Sequence, residues 1–156
     1  MNDFKSEVRD GVTWITVSPM DWIEIHEQLR DEGFTTLEYL TAVHNSGDEF
    51  IVVSHLSGDG ERIVRTVISD ARIDSLSQMF AIAEFHERET HQMFGIMFDG
   101  LHSDAPAFAR VAQRALRKDF ALDDRLAVSW PGAVEPDVNA RRRPSLPPGV
   151  FAEWMQ

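Results

Sequence analysis

Between residues 12 and 17 the chain reads V-T-W-I-T-V, a β-branched and aromatic run that predicts a first strand. The period then changes to that of a helix. Trp22, His26 and Leu29 fall on one face, with Ser18 as N-cap, Pro19 at the first helical position, Asp21 at the positive end and Gly33 as the C-terminal stop. On that face His26 reads as a packing residue rather than a ligand. Three more strands are predicted at 34–44, 49–56 and 61–69. Their links, N-S-G-D at 45–48 and S-G-D-G at 57–60, are turn clusters of the length that joins antiparallel neighbours. In the last strand Ile63, Arg65 and Val67 alternate with Val64, Thr66 and Ile68, so one face is the more apolar and needs a cover.

A second helix supplies it. With Asp74 or Ser75 as N-cap, it carries Leu76, Met79, Phe80, Ala83, Thr90 and Phe94 at spacings of three and four. Gly95 ends it, and the following I-M-F is extended. A third helix is expected over 106–118. The predicted fold is therefore α+β: an antiparallel β-meander sheet packed by helices over residues 1–124, followed by an extended Pro-rich C-terminal tail at 125–156. Five of the seven prolines lie after residue 130, which excludes a helix or central strand there. Trp130, Phe151 and Trp154 are interleaved among them. Either these aromatics fold back onto the domain, or they anchor the chain to another protein.

Composition narrows the chemistry. At 156 residues with 43% hydrophobic and 26% charged side chains, the chain has the make-up of one ordinary soluble domain. It holds no cysteine, so disulfides, thiolate nucleophiles and cysteine-held zinc or iron–sulfur clusters are excluded for this chain. No basic region followed by an apolar stretch opens it, and no run of about 18 apolar residues occurs, which points to a cytoplasmic protein without a membrane span. The formal net charge is -11. Residues 1–104 hold 7 Lys+Arg against 20 Asp+Glu, whereas residues 105–156 hold 8 against 6, with Arg141, Arg142 and Arg143 consecutive. An acidic body argues against general nucleic-acid binding, and the arginine triplet is either a solvated stretch or a docking element.

The densest cluster of chemical groups is E-F-H-E-R-E-T-H-Q-M-F-G at 84–95. It is not a zinc motif of the H-E-x-x-H type. His86 and His91 are five apart and would sit ~140° apart around a regular helix, too far to share one ion. Glu84 with Arg88, Glu87 with His91, and Arg88 with Gln92 have i,i+4 spacing, but exposed pairs of this kind stabilise a helix by only ~0.2–0.5 kcal/mol each. Three readings of the cluster stand: a solvated face, an acid–base pair of Glu87 and His91 in a hydrolase, or a contact surface for other chains.

The segment E-R-E-T-H-Q-M-F-G-I-M-F-D-G at 87–100, followed by L-R-K-D-F at 116–120, resembles the signature of the C-type subunit of NADH-quinone oxidoreductase, respiratory complex I. Upstream, L-E-Y-L-T-A-V-H at 37–44 and V-V-S-H-L at 52–56 are similar to that family's sheet, so the likeness covers roughly residues 10–122. His91 and Gln92 stand where the family usually has an aromatic and then an acid.

The resemblance implies a peripheral-arm connecting subunit without a cofactor or catalytic residue of its own, on the cytoplasmic face of the membrane. NADH, FMN, iron–sulfur clusters and quinone would then lie on partner subunits, especially those forming the quinone pocket. The complex would carry electrons from NADH to quinone with coupled proton translocation. An energy-converting hydrogenase with a homologous subunit is the alternative. On this reading Glu87, Arg88, Glu89, Arg117, Lys118 and Asp119 grip neighbouring chains, with Trp130 and Trp154 as anchors.

Overall fold

The computed structural model describes residues 4–103, 105–108 and 114–121. Seven strands and two α-helices follow one another there. They are β1 (Lys5–Arg9), β2 (Val12–Val17), α1 (Trp22–Asp31), β3 (Thr36–Ser46), β4 (Glu49–Gly58), β5 (Gly60–Ile68), β6 (Arg72–Asp74), α2 (Ala83–Phe94) and β7 (Met97–Asp99). The fold is α+β, as expected. Its main sheet has the order β1-β2-β5-β4-β3, and β6 pairs with β7 in a separate two-stranded parallel sheet.

The meander of β3, β4 and β5 is antiparallel, as the short turns predict. The sheet as a whole is mixed, because β2 lies parallel to β5 in the register Ile15↔Val64. The reason lies in the connection. Helix α1 carries the chain from the end of β2 back to the start of β3, and a crossover of this kind returns a strand in the same direction. Strand β1 is an addition to the expected set. It forms a hairpin with β2 through Asp10 and Gly11, both at positive φ (52° and 84°), the conformation that a two-residue Asp-Gly turn favours.

One face of the sheet is covered. Phe50, Val52, Ser54 and Leu56 of β4 and Val64, Thr66 and Ile68 of β5 are buried, alternating with more exposed residues on the opposite face. In β3 two successive exposed residues, Glu38 and Tyr39, mark a register shift. This bulge resets the alternation so that Leu37, Leu40, Ala42 and His44 all point inward. Trp22, Ile25 and Leu29 of α1 and Phe94 of α2 join the same core.

Ser18 occupies the N-cap position of a short 3₁₀ turn at Pro19–Asp21, not of α1 itself, and its hydroxyl donates to the Asp21 carboxylate at 2.8 Å. Gly33 stops α1 as expected. Its φ is 103°, and Phe34 N–H reaches back to the Leu29 carbonyl at 2.9 Å. His26 is buried: its Nδ1–H donates to the Trp22 carbonyl at 2.6 Å, and its Nε2 accepts from the Ser54 hydroxyl at 2.7 Å. Burial lowers the imidazole to about 4, so it packs in the neutral form that these two bonds require.

Two expectations for the later elements need correction. Helix α2 begins at Ala83, not near Ser75. Asp74 ends β6, and Leu76, Met79 and Phe80 lie in successive turns held by Met79 and Phe80 N–H to the Leu76 carbonyl, both at 2.9 Å. Their apolar spacing is real, but it serves turns pinned to the core rather than helix. The helix expected at 106–118 is absent among the described residues 105–108 and 114–121, which form bends and turns; 109–113 lie outside the described residues. The Gly95 stop is present, at φ 80° with its N–H on the His91 carbonyl at 2.7 Å. The boundary at 124/125, the Pro-rich tail, Trp130, Phe151 and Trp154 also lie outside the described residues.

Candidate partner interface

Glu87 stands at the centre of the charged cluster and is fully buried. Its Oε2 accepts from the Ser75 hydroxyl and its Oε1 from the Leu76 N–H, both at 2.6 Å. Ser75 Oγ in turn accepts from Ser77 N–H at 3.1 Å. One carboxyl group thus fixes the turn entering the segment before α2. Burial raises its pKa to about 7, against the opposing pull of the Ser75 and Leu76 bonds. A group enclosed by its own chain presents nothing to another, so Glu87 is an internal brace rather than a partner contact. The acid–base pairing with His91 is absent too: His91 Nδ1–H is directed to the Ile96 carbonyl at 2.9 Å.

The residues that follow hold the chain's own downstream segment. Arg88 donates from Nε to the Ala105 carbonyl at 2.8 Å and from Nη2 to the Pro106 carbonyl at 3.2 Å. Gln92, buried on the same side, matches its amide to the Phe108 backbone: Nε2 donates to Phe108 O and Oε1 accepts from Phe108 N–H, both at 2.9 Å. The Phe85 and Phe108 rings meet edge to face at 6.2 Å. Glu89 is half-buried on α2. Sequence reasoning did not single out Gln92 as a site residue. The available signal was its amide, since an amide can bond a backbone N–H and C=O together where the family's usual acid cannot.

A second cluster forms where L-R-K-D-F meets the β3–β4 turn. Arg117 lies over the Phe50 ring at 5.4 Å and bonds the Gly47 carbonyl at 3.0 Å, the Asp48 carboxylate at 3.3 Å and Asp119 at 3.0 Å. Those bonds, led by the one to Asp119, raise the guanidinium further, while the same pairing lowers the Asp119 carboxyl. Lys118 Nζ donates to the Asn45 carbonyl at 3.3 Å. Its backbone N–H donates to His44 Nδ1 at 2.8 Å. Lys118 and Asp119 remain exposed. His44, the receptor for this motif, carried no visible sequence signal beyond its inward place in β3.

Helix α2 thus holds both 105–108 and, through its Gln92 and Met93 carbonyls, the N–H groups of Arg114 and Leu116 at 2.7 and 3.2 Å, while the β3–β4 turn and His44 hold Arg117 and Lys118. No set of three or more His, Cys, Asp and Glu side chains among the described residues is arranged to hold a metal ion. The opposite face of the sheet has Tyr39, Val43 and Val67 exposed, with no described helix across it.

Residues 15–126 match the model of the respiratory-chain NADH dehydrogenase, 30 Kd subunit. The chain belongs to this family. The C-type subunit of NADH-quinone oxidoreductase from Streptomyces coelicolor is 32% identical over 137 residues, covering 77% of this chain and 53% of its own length. Its counterpart from Rhodobacter capsulatus is 32% identical over 127 residues, covering 74% of this chain and 63% of that protein. The chain thus spans little more than half the length of such relatives. Among solved structures, a trypsin-resistant fragment of Nqo5 aligns with a TM-score of 0.58 at 25% identity, covering 64% of this chain and 89% of the fragment. A chain of an archaeal membrane-bound sulfane sulfur reductase aligns with a TM-score of 0.69 at 24% identity, covering 78% of this chain and 79% of that one. The second likeness shows the fold alone and does not favour the hydrogenase alternative.

Proposed function

We propose that this protein is a non-catalytic connecting subunit of the peripheral arm of an NADH-quinone oxidoreductase. In this role it supports electron transfer from NADH to quinone, coupled to proton translocation, while NADH, FMN, iron–sulfur clusters and quinone sit on partner subunits. The observation that carries the reading is the use made of the two family motifs. Glu87, Arg88, Gln92 and Arg117 bond the chain's own backbone and side chains instead of converging on a cavity, which is what a scaffold needs and an active site does not. The groups left at the surface, Glu89, Lys118 and Asp119 with the outer edges of Arg88 and Arg117, are the contacts offered to neighbouring subunits, where a charge fixes orientation once paired. Trp130 and Trp154 serve as anchors. No described helix is long and apolar enough to cross a membrane, and attachment at the cytoplasmic face is through the complex.

The test is purification of the tagged full chain from its native cells, with subunits identified by mass spectrometry, beside membrane NADH:quinone activity in a deletion strain. Co-purification of other complex subunits, with activity lost on deletion and restored by the gene, is expected. A chain that purifies alone while deletion leaves activity intact overturns the proposal. Truncation after Asp124 is expected to leave a folded domain that assembles less well.

A further inference from the structure

His44 is buried and stacked on Phe50, with ring centroids 5.0 Å apart. Both its nitrogens have fixed roles. Nε2 lies 2.8 Å from the Gly47 carbonyl, which only accepts, so Nε2 carries the hydrogen. Nδ1 lies 2.8 Å from the Lys118 backbone N–H, which only donates, so Nδ1 must offer a lone pair. This contact bridges residues 74 positions apart and joins the β3–β4 turn to the L-R-K-D-F segment. An imidazolium has no lone pair, and it would set two N–H groups against each other.

We propose that His44 is a proton-operated latch: residues 117–119 dock on the β3–β4 turn while the imidazole is neutral and are released when it is protonated, whereas Arg114 and Leu116 stay bonded to the Gln92 and Met93 carbonyls of α2 at 2.7 and 3.2 Å. The charged groups around the ring come from each element packed there. The turn and β4 contribute Asp48 and Glu49, and the docked segment contributes Arg117, Lys118 and Asp119. Helix α2 meets the site through Phe94, whose ring is edge-on to Phe50, while its His91 is bonded away to Ile96. Asp119, through its bonds with Arg117, stays an anion. Release alters the setting of Arg117, Lys118 and Asp119 together, the surface through which the segment would meet a neighbour. The latch rests on contacts within this chain and stands or falls apart from the assignment of partners.

The experiment is NMR on the full chain between pH 5 and 8, following the His44 Hε1 shift beside amide-exchange protection at Lys118. Protection is expected to be constant while the imidazole is neutral, then to fall about tenfold per pH unit below its titration midpoint. In His44→Asn the side-chain oxygen accepts from Lys118 without titrating, and protection is expected to be flat. The proposal is overturned if Lys118 protection ignores the titration, if the imidazole stays neutral down to pH 5, or if His44→Asn shows the same fall. Should that variant misfold, the two wild-type readouts decide alone.

Discussion

Replacing Glu87 with Gln should change how stability depends on pH more than it changes stability at any one pH. The folded carboxyl titrates at about 7 rather than 4.5 because burial disfavours its charge. Between those values the native chain keeps a proton that the unfolded chain has released, so raising the pH across the window disfavours folding. Each tenfold change in an ionisation constant corresponds to ~1.4 kcal/mol, and the whole displacement amounts to ~3 kcal/mol lost above pH 7 relative to below 4.5. His26 works in the opposite sense. Its imidazole titrates at about 4 instead of 6.5, so between those values the unfolded state binds the extra proton and stability rises with pH, by a similar ~3 kcal/mol. In the wild-type chain the two slopes nearly cancel from about pH 4.5 to 6.5. Glu87→Gln removes one of them and keeps an amide oxygen for Leu76 N–H. Urea unfolding at half-unit pH steps should then show stability climbing by ~1.4 kcal/mol per pH unit over that window, against a nearly flat wild type. Parallel profiles for the two proteins would refute the claim that burial governs Glu87.

Other positions give sharper local outcomes. A Cβ at Gly58 would stand 2.5 Å from the Gly33 carbonyl oxygen and 2.9 Å from Phe34 Cα, both backbone, so Gly58→Ala should lower stability by ~1–3 kcal/mol in urea unfolding. Gln92→Ala removes both bonds to Phe108; a loss of ~1–3 kcal/mol is expected, with faster exchange of the Phe108 amide, whereas an unchanged amide would mean that Arg88 alone holds the segment. Ser54→Ala strands His26 Nε2 and should cost ~1–3 kcal/mol at pH 7 by thermal unfolding.

The meander was legible because its turns announce themselves: N-S-G-D and S-G-D-G leave antiparallel pairing as the short solution. The stop at Gly95 was equally plain. What escaped was everything decided at a distance. The parallel pairing of β2 with β5 depends on where α1 delivers the chain, and no window of sequence contains both strands. The start of α2 was misplaced because Leu76, Met79, Phe80 and Ala83 have helical spacing, yet Ser75 and Leu76 are held by a carboxyl group twelve and eleven positions later. A tertiary bond outweighed a local period, as it does where helix stability rests on packing. The same distance effect hid Gln92 and His44, whose partners lie 16 and 74 positions away.

On the proposed scaffold role, the placement of the motif residues accounts for charges that look catalytic. A carboxylate inside a protein is costly unless its oxygens are bonded, and Glu87 has a donor on each. That arrangement fixes a turn which the intervening residues alone would leave to fluctuate. Arg88 does the same for the segment at 105–106, donating to its Ala105 and Pro106 carbonyls, and Arg117 ties its own irregular segment to the Gly47 carbonyl of the β3–β4 turn. Surface ion pairs contribute little by themselves, but guanidinium bonds to carbonyls also satisfy backbone groups that a segment lacking regular structure cannot pair internally. The charged motifs thereby give irregular segments a fixed path over the sheet and α2. A subunit that must present a reproducible surface to its neighbours requires such a path.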